Sequence, residues 1–124
     1  MNSKILVVDD EPDVSEVISH YLGRRGYNII TAGSGREALS KLLSEKPALI
    51  LLDILMPEMD GIECLRKIKE LDKEVLVMMV TCVTDLDKAR QAIELGAIDY
   101  LTKPLGFNAL ETAVSTYLFL NSVK

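Results

Sequence analysis

The stretch Ile5-Leu6-Val7-Val8-Asp9-Asp10-Glu11 decides the fold. Four apolar residues in a row do not alternate, so both faces of this strand are buried. Two-sided burial belongs to a parallel sheet with helices on each face. The run then stops at three consecutive carboxylates. Charges of that kind belong at the carboxyl edge of the sheet, where open α/β sheets bind ligands.

Four more segments read as strands: Asn28–Ala32, Ala48–Leu52, Glu74–Val80 and Asp99–Thr102, after Lys4–Val8 as the first. Amphipathic segments separate them. Val14, Val17, Ile18, Tyr21 and Leu22 follow the spacing of one helical face. Pro12 suits the first turn of that helix, and Gly23 and Gly26 lie where it should stop. Ala38, Leu39, Leu42 and Leu43 mark a second helix, which ends before Pro47. Ile62, Leu65 and Ile68 mark a third, opened by Gly61. Leu86, Ala89, Ala92 and Ile93 mark a fourth, stopped by Gly96. Leu110, Ala113, Val114, Tyr117 and Leu118 mark a fifth. Five β-α units with right-handed crossovers predict an α/β, doubly wound parallel sheet. No linker or low-complexity tract divides residues 1–124, so one domain is expected.

Composition narrows the function. The chain has 124 residues, 48 % apolar and 27 % charged, with a net charge of −5. That is ordinary for a globular domain. The acidity and the scattered Lys and Arg argue against nucleic-acid binding by this chain, since phosphate neutralisation supplies most of that affinity. No apolar run approaches the ~20 residues that span a bilayer. Met1-Asn2-Ser3-Lys4 leads straight into a strand, with no basic-then-apolar signal peptide. A cytoplasmic protein is expected. Cys64 and Cys82 lack metal-ligand spacing and read as free core thiols, which fits a reducing compartment.

The polar residues gather after the strands. Asp9 and Asp10 follow the first, Asp53 the third, Thr81 the fourth, and Lys103-Pro104 the fifth. Three converging carboxylates repel, and binding a cation relieves the repulsion. All the donors are hard oxygens, which suits Mg²⁺. A cation, a lysine and a hydroxyl around one carboxylate also form a cradle for a phosphoryl group. Asp53, alone at the end of the most apolar strand, is the candidate nucleophile.

The chain resembles a two-component response-regulator receiver domain along its whole length. The resemblance rests on Val8-Asp9-Asp10-Glu11-Pro12, on Asp53-Ile54-Leu55-Met56-Pro57-Glu58-Met59-Asp60-Gly61, on Thr81, on Gly96-Ala97-Ile98-Asp99-Tyr100-Leu101, and on Lys103-Pro104. It implies a flavodoxin-like sheet of order 2-1-3-4-5. It implies that Asp53 accepts phosphate from a sensor histidine kinase or a phosphotransfer protein. Asp10, Asp53 and the backbone carbonyl of Leu55 would ligate Mg²⁺, with Asp9 acting largely through water. Lys103 would pair with phosphoryl oxygens, and the Lys103–Pro104 bond would be cis. Thr81 and Tyr100 would form the switch, read at the surface around the fourth helix and fifth strand. The switch would control an output domain or a partner.

Plainer readings stand beside these. Asp9 and Asp10 suit the N-terminal end of a helix dipole. Thr81 suits a strand-end cap, and Tyr100 suits ordinary packing. His20, the single histidine, lies off the apolar face of the first helix and reads as solvated. Two other functions compete. A phosphatase or phosphotransferase of the aspartyl-phosphate type needs a second Asp two residues after the first, and Asp9 and Asp10 are adjacent. A degenerate receiver used only to bind protein is opposed by the intact Asp10, Asp53, Thr81 and Lys103.

The pattern also departs from the family. Leu55 and Val83, each two residues past a key position, border the path of the hydrolytic water in receivers. Both are apolar here, so a long-lived phospho-form is expected. Cys82 stands where a small residue is usual, and a thiol modification there would disturb the switch. The last helix carries Tyr117-Leu118-Phe119-Leu120 in one turn, more than one buried stripe holds. Between Gly106 and Asn121 its only charge is Glu111. Phe119 or Leu120 is expected to face a partner, a second copy in a homodimer, or a following domain.

Overall fold

The chain folds as five β-α pairs: β1 (Lys4–Val8), α1 (Pro12–Gly23), β2 (Asn28–Ala32), α2 (Gly35–Glu45), β3 (Leu49–Leu52), α3 (Gly61–Leu71), β4 (Leu76–Thr81), α4 (Leu86–Glu94), β5 (Asp99–Thr102) and α5 (Phe107–Ser122). This computed structural model describes residues 3–123, so the expected lead-in at Met1 and Asn2 lies outside the described residues. All strand pairs are parallel, in the order β2-β1-β3-β4-β5.

Two-sided burial follows from the pleat, because successive side chains point to opposite faces. Leu6, Val8, Ile50, Leu52, Val77 and Met79 pack with residues of α2, α3 and α4. Ile5, Val7, Leu49, Leu51, Met78 and Val80 pack with residues of α1 and α5. Each large side chain so buried stabilises the fold by about 1.5–3 kcal/mol. The helices start where their caps allow. Pro12 opens α1. Ser34, Asp60 and Asp85 each accept a backbone N–H from the first turn of α2, α3 and α4. Among the described residues no helix is long and apolar enough to cross a membrane.

Some expectations need correction. β4 runs over Leu76–Thr81, not Glu74–Val80. The Asp72 carboxylate takes the N–H groups of Glu74 and Val75 at 2.9 and 3.2 Å, and this turn keeps them out of the ladder. β3 starts at Leu49 rather than Ala48. Cys64 is buried as expected, but Cys82 is exposed, because it lies one residue past the end of β4. Val17, Leu43, Leu86 and Ile93 also lie exposed. The helices touch the sheet through narrower stripes: Ser15, Ile18 and Leu22 in α1, with Val14 and Tyr21 packed beside them, and Ala92 alone among buried residues in α4.

Candidate functional site

The ends of β1 and β3 are level. Val8 pairs with Leu52 in register, Asp53 N–H donates to Val8 O at 3.0 Å, and Asp9 N–H donates to Ala32 O at 3.1 Å. Asp9 and Asp53 are therefore the first residues past neighbouring strands. Both are nearly sealed from solvent, at 4 % and 5 % exposure, whereas Asp10 is exposed. Each of the three offers a carboxylate oxygen within 4.8 Å of the others. Buried carboxylates need partners, and the structure supplies them. Asp9 Oδ1 accepts Glu11 N–H at 2.9 Å. Asp53 Oδ1 accepts Ile54 N–H at 2.7 Å and Leu55 N–H at 3.4 Å.

Lys103 completes the cluster. Its Nζ lies 2.6 Å from Asp9 Oδ2 and 3.3 Å from Asp53 Oδ2. Burial works against the Lys103 charge, but the hydrogen bonds and charges of Asp9 and Asp53 outweigh it and raise its pKa. Three formal negative charges and one positive leave the cluster at −3 + 1 = −2. Hard oxygen donors this close, with a net deficit of positive charge, fit a small divalent cation such as Mg²⁺.

Thr81 ends β4, fully buried, and its carbonyl accepts Lys103 N–H at 2.8 Å. Its Oγ1 accepts Val83 N–H at 3.3 Å, so it also serves as the strand-end cap. Tyr100 is half-buried and packs against the α2-α3-α4 core. Its hydroxyl donates to Val83 O at 2.7 Å. Burial raises its pKa, with the charges of Asp85 and Asp53 adding to the effect. Leu55 is exposed in the loop after β3, the Lys103–Pro104 bond is cis, and His20 is exposed.

Asp9, Asp10, Asp53 and Lys103 thus form one cluster, with Thr81 bonded to its rim and Tyr100 one hydrogen bond beyond Val83. Sequence reasoning did not find the backbone donors at Glu11 and Ile54, because no side chain marks them. It also did not find Gly61 as a site residue. A Cβ on Gly61 would lie 2.1 Å from Asp53 O, so only glycine lets α3 start this close to the Asp53 backbone. The Asp-Gly pair at positions 60 and 61 was the available signal.

Comparison with known proteins shows which family the chain is similar to. The sequence profile described as response regulator receiver domain matches residues 5–115. Sporulation initiation phosphotransferase F of Bacillus subtilis (strain 168) is 37 % identical over 122 residues, 98 % of each chain. The alkaline phosphatase synthesis transcriptional regulatory protein PhoP of the same organism is 40 % identical over 118 residues. There the match covers 95 % of this chain and 49 % of that protein. The crystal structure of a CheY-like response regulator receiver domain protein from Methanospirillum hungatei JF-1 superposes with a TM-score of 0.95 at 29 % identity, covering 98 % of both chains.

Proposed function

The chain belongs to the response-regulator receiver family of two-component signal transduction, and from that membership we propose that Asp53 is its phosphoryl acceptor. The observation that carries the proposal is the meeting of Asp9, Asp10, Asp53 and Lys103 at one sheet edge. An Asp53 carboxylate oxygen attacks the phosphorus of a phosphohistidine. A P–O bond forms and the P–N bond breaks. The electron pair stays on the imidazole nitrogen, which then takes a proton.

Lys103 stays within reach of the added oxygens and offsets their charge. The N–H groups of Ile54 and Leu55 hold the Asp53 carboxylate in place. Asp9, Asp10, Asp53 and the Leu55 carbonyl would hold Mg²⁺. Bound there, the ion supplies charge neutralisation for the transferring group. Thr81 and Tyr100 carry the change outward, which makes the chain a switch that catalyses its own phosphorylation rather than a metabolic enzyme.

The proposed partners are a sensor histidine kinase or a phosphotransfer protein on the input side. The likeness to a protein named phosphotransferase F along nearly its whole length supports the second of these. On the output side we place an output domain or a second copy against the last helix, where Phe119 and Leu120 are 64 % and 53 % exposed. The free thiols Cys64 and Cys82 support a reducing compartment.

Intact mass after incubation with acetyl phosphate and Mg²⁺ tests the acceptor. One added phosphoryl group is expected, lost in Asp53→Asn and in the presence of a chelator. No uptake, together with no Mg²⁺ binding, would leave the phosphorylation-independent binding module as the function.

A further inference from the structure

One chain of hydrogen bonds runs from the last helix to the rim of the acidic cluster. Tyr117 on α5 donates its phenol hydrogen to Asp99 Oδ2 at 2.9 Å. The other oxygen, Asp99 Oδ1, accepts the backbone N–H of Tyr100 at 2.7 Å. The Tyr100 hydroxyl donates to Val83 O, and Val83 N–H donates to Thr81 Oγ1.

We propose that Tyr117 and Asp99 are positioning residues for the switch, which hold the backbone at Tyr100 and so set where its hydroxyl meets the loop after β4. The effect on phosphorylation rests on the receiver function proposed above; the link itself does not.

Three features make the pair more than a surface contact. First, β5 is a four-residue strand at the edge of the sheet, bonded to β4 alone. A strand tethered on one side is steered by whatever holds its other side. Second, both Asp99 oxygens are engaged, one by a helix and one by the Tyr100 backbone. The carboxylate cannot turn without giving up one bond. Third, Tyr117 lies three and seven residues past the buried Val114 and Leu110, so it shares the packed face of α5. Its ring moves with that helix. The bond to Asp99 also raises the Tyr117 pKa, as a phenol that donates to a carboxylate must.

The chain has four tyrosines: Tyr21, Tyr27, Tyr100 and Tyr117. Replacing all four with 3-fluorotyrosine gives each a fluorine resonance, assigned through Phe variants. In the unphosphorylated protein, Tyr117→Phe is expected to move the Tyr100 resonance and leave that of Tyr21, on α1, in place. Asp99→Asn, which keeps one acceptor oxygen, is expected to move it in the same direction. Phosphorylation by acetyl phosphate should slow about two- to fivefold in Tyr117→Phe. In a Tyr100→Phe background the same change should have no further effect.

A Tyr100 resonance unmoved by both variants would overturn the link. Equal slowing in both backgrounds would overturn the positioning role, because it would mean that Tyr117 acts without Tyr100. Absence of both phosphoryl uptake and Mg²⁺ binding in the wild-type protein would instead overturn the acceptor assignment at Asp53, and the fluorine shift would still decide the link.

Discussion

At the scale of single residues, the site is built from close approaches that leave no slack. Gly61 is the sharpest case. Its N–H donates to Ile54 O at 2.8 Å, and a Cβ there would meet the backbone of Asp53 and Ile54 rather than a movable side chain. Gly61→Ala is therefore expected to cost about 1–3 kcal/mol, read from urea unfolding, and to slow phosphoryl uptake by displacing Asp53. The two cysteines divide in a similar way. Burial, with Glu63 as the next contributor, pushes the Cys64 thiol up to about 12, whereas Cys82 is exposed. A maleimide at neutral pH should modify one thiol in the native protein and two in urea. Two thiols modified at equal rates in the native state would contradict the burial of Cys64.

At the scale of elements, ends matter more than middles. α2 starts with a reciprocal cap. Ser34 Oγ accepts Glu37 N–H at 3.1 Å, and Glu37 Oε1 accepts Gly33 N–H at 2.8 Å while its other oxygen lies 3.1 Å from Lys41 Nζ. The Gly33 bond and then Lys41 lower the Glu37 pKa. A carboxyl whose folded pKa is lowered stabilises the fold above its unfolded pKa. That contribution disappears as pH falls through the folded value. Glu37→Gln should therefore cost about half a kcal/mol near neutral pH, and the difference from wild type should shrink below about pH 4. A difference that stays constant with pH would assign the loss to packing. The strand ends were legible wherever side-chain chemistry marks them, as at Asp9 and Asp53. They were not legible at Glu74 and Val75, whose apolar-strand pattern is overridden by the Asp72 side chain.

At the scale of the whole molecule, the proposed switch lies between two layers. Tyr100 packs with the α2-α3-α4 side, while Tyr117 packs with the α1-α5 side. β5 joins them, so a change at the sheet edge reaches both. Hydrolysis of the acyl phosphate proposed at Asp53 would depend on the same edge. Leu55 is 60 % exposed, and Val83 is half-buried beside Tyr100. Neither side chain can orient water. A Leu55→Asn, Val83→Glu double variant should shorten the phospho-form's lifetime by about tenfold or more, followed as the decay of the phosphorylated mass. An unchanged lifetime would show that these two positions do not govern hydrolysis here.

The sequence by itself determined the alternation of strands and helices, the two-sided burial of β1 and β3, and the strand ends at which Asp9, Asp10, Asp53, Thr81 and Lys103 appear. These are local matters of hydrophobic period, caps and turn residues, and they are written in contiguous residues. Tertiary structure alone decided which partners those residues take. The 2.6 Å approach of Lys103 to Asp9 joins residues 94 positions apart, and the Tyr117–Asp99–Tyr100–Val83 chain crosses from helix to strand to loop. It also decided that Cys82, Leu86 and Ile93 face outward, because a helix or strand end buries only what its neighbours cover. Side-chain period gives the direction a residue faces relative to its own element. What stands opposite is set by how the five units pack.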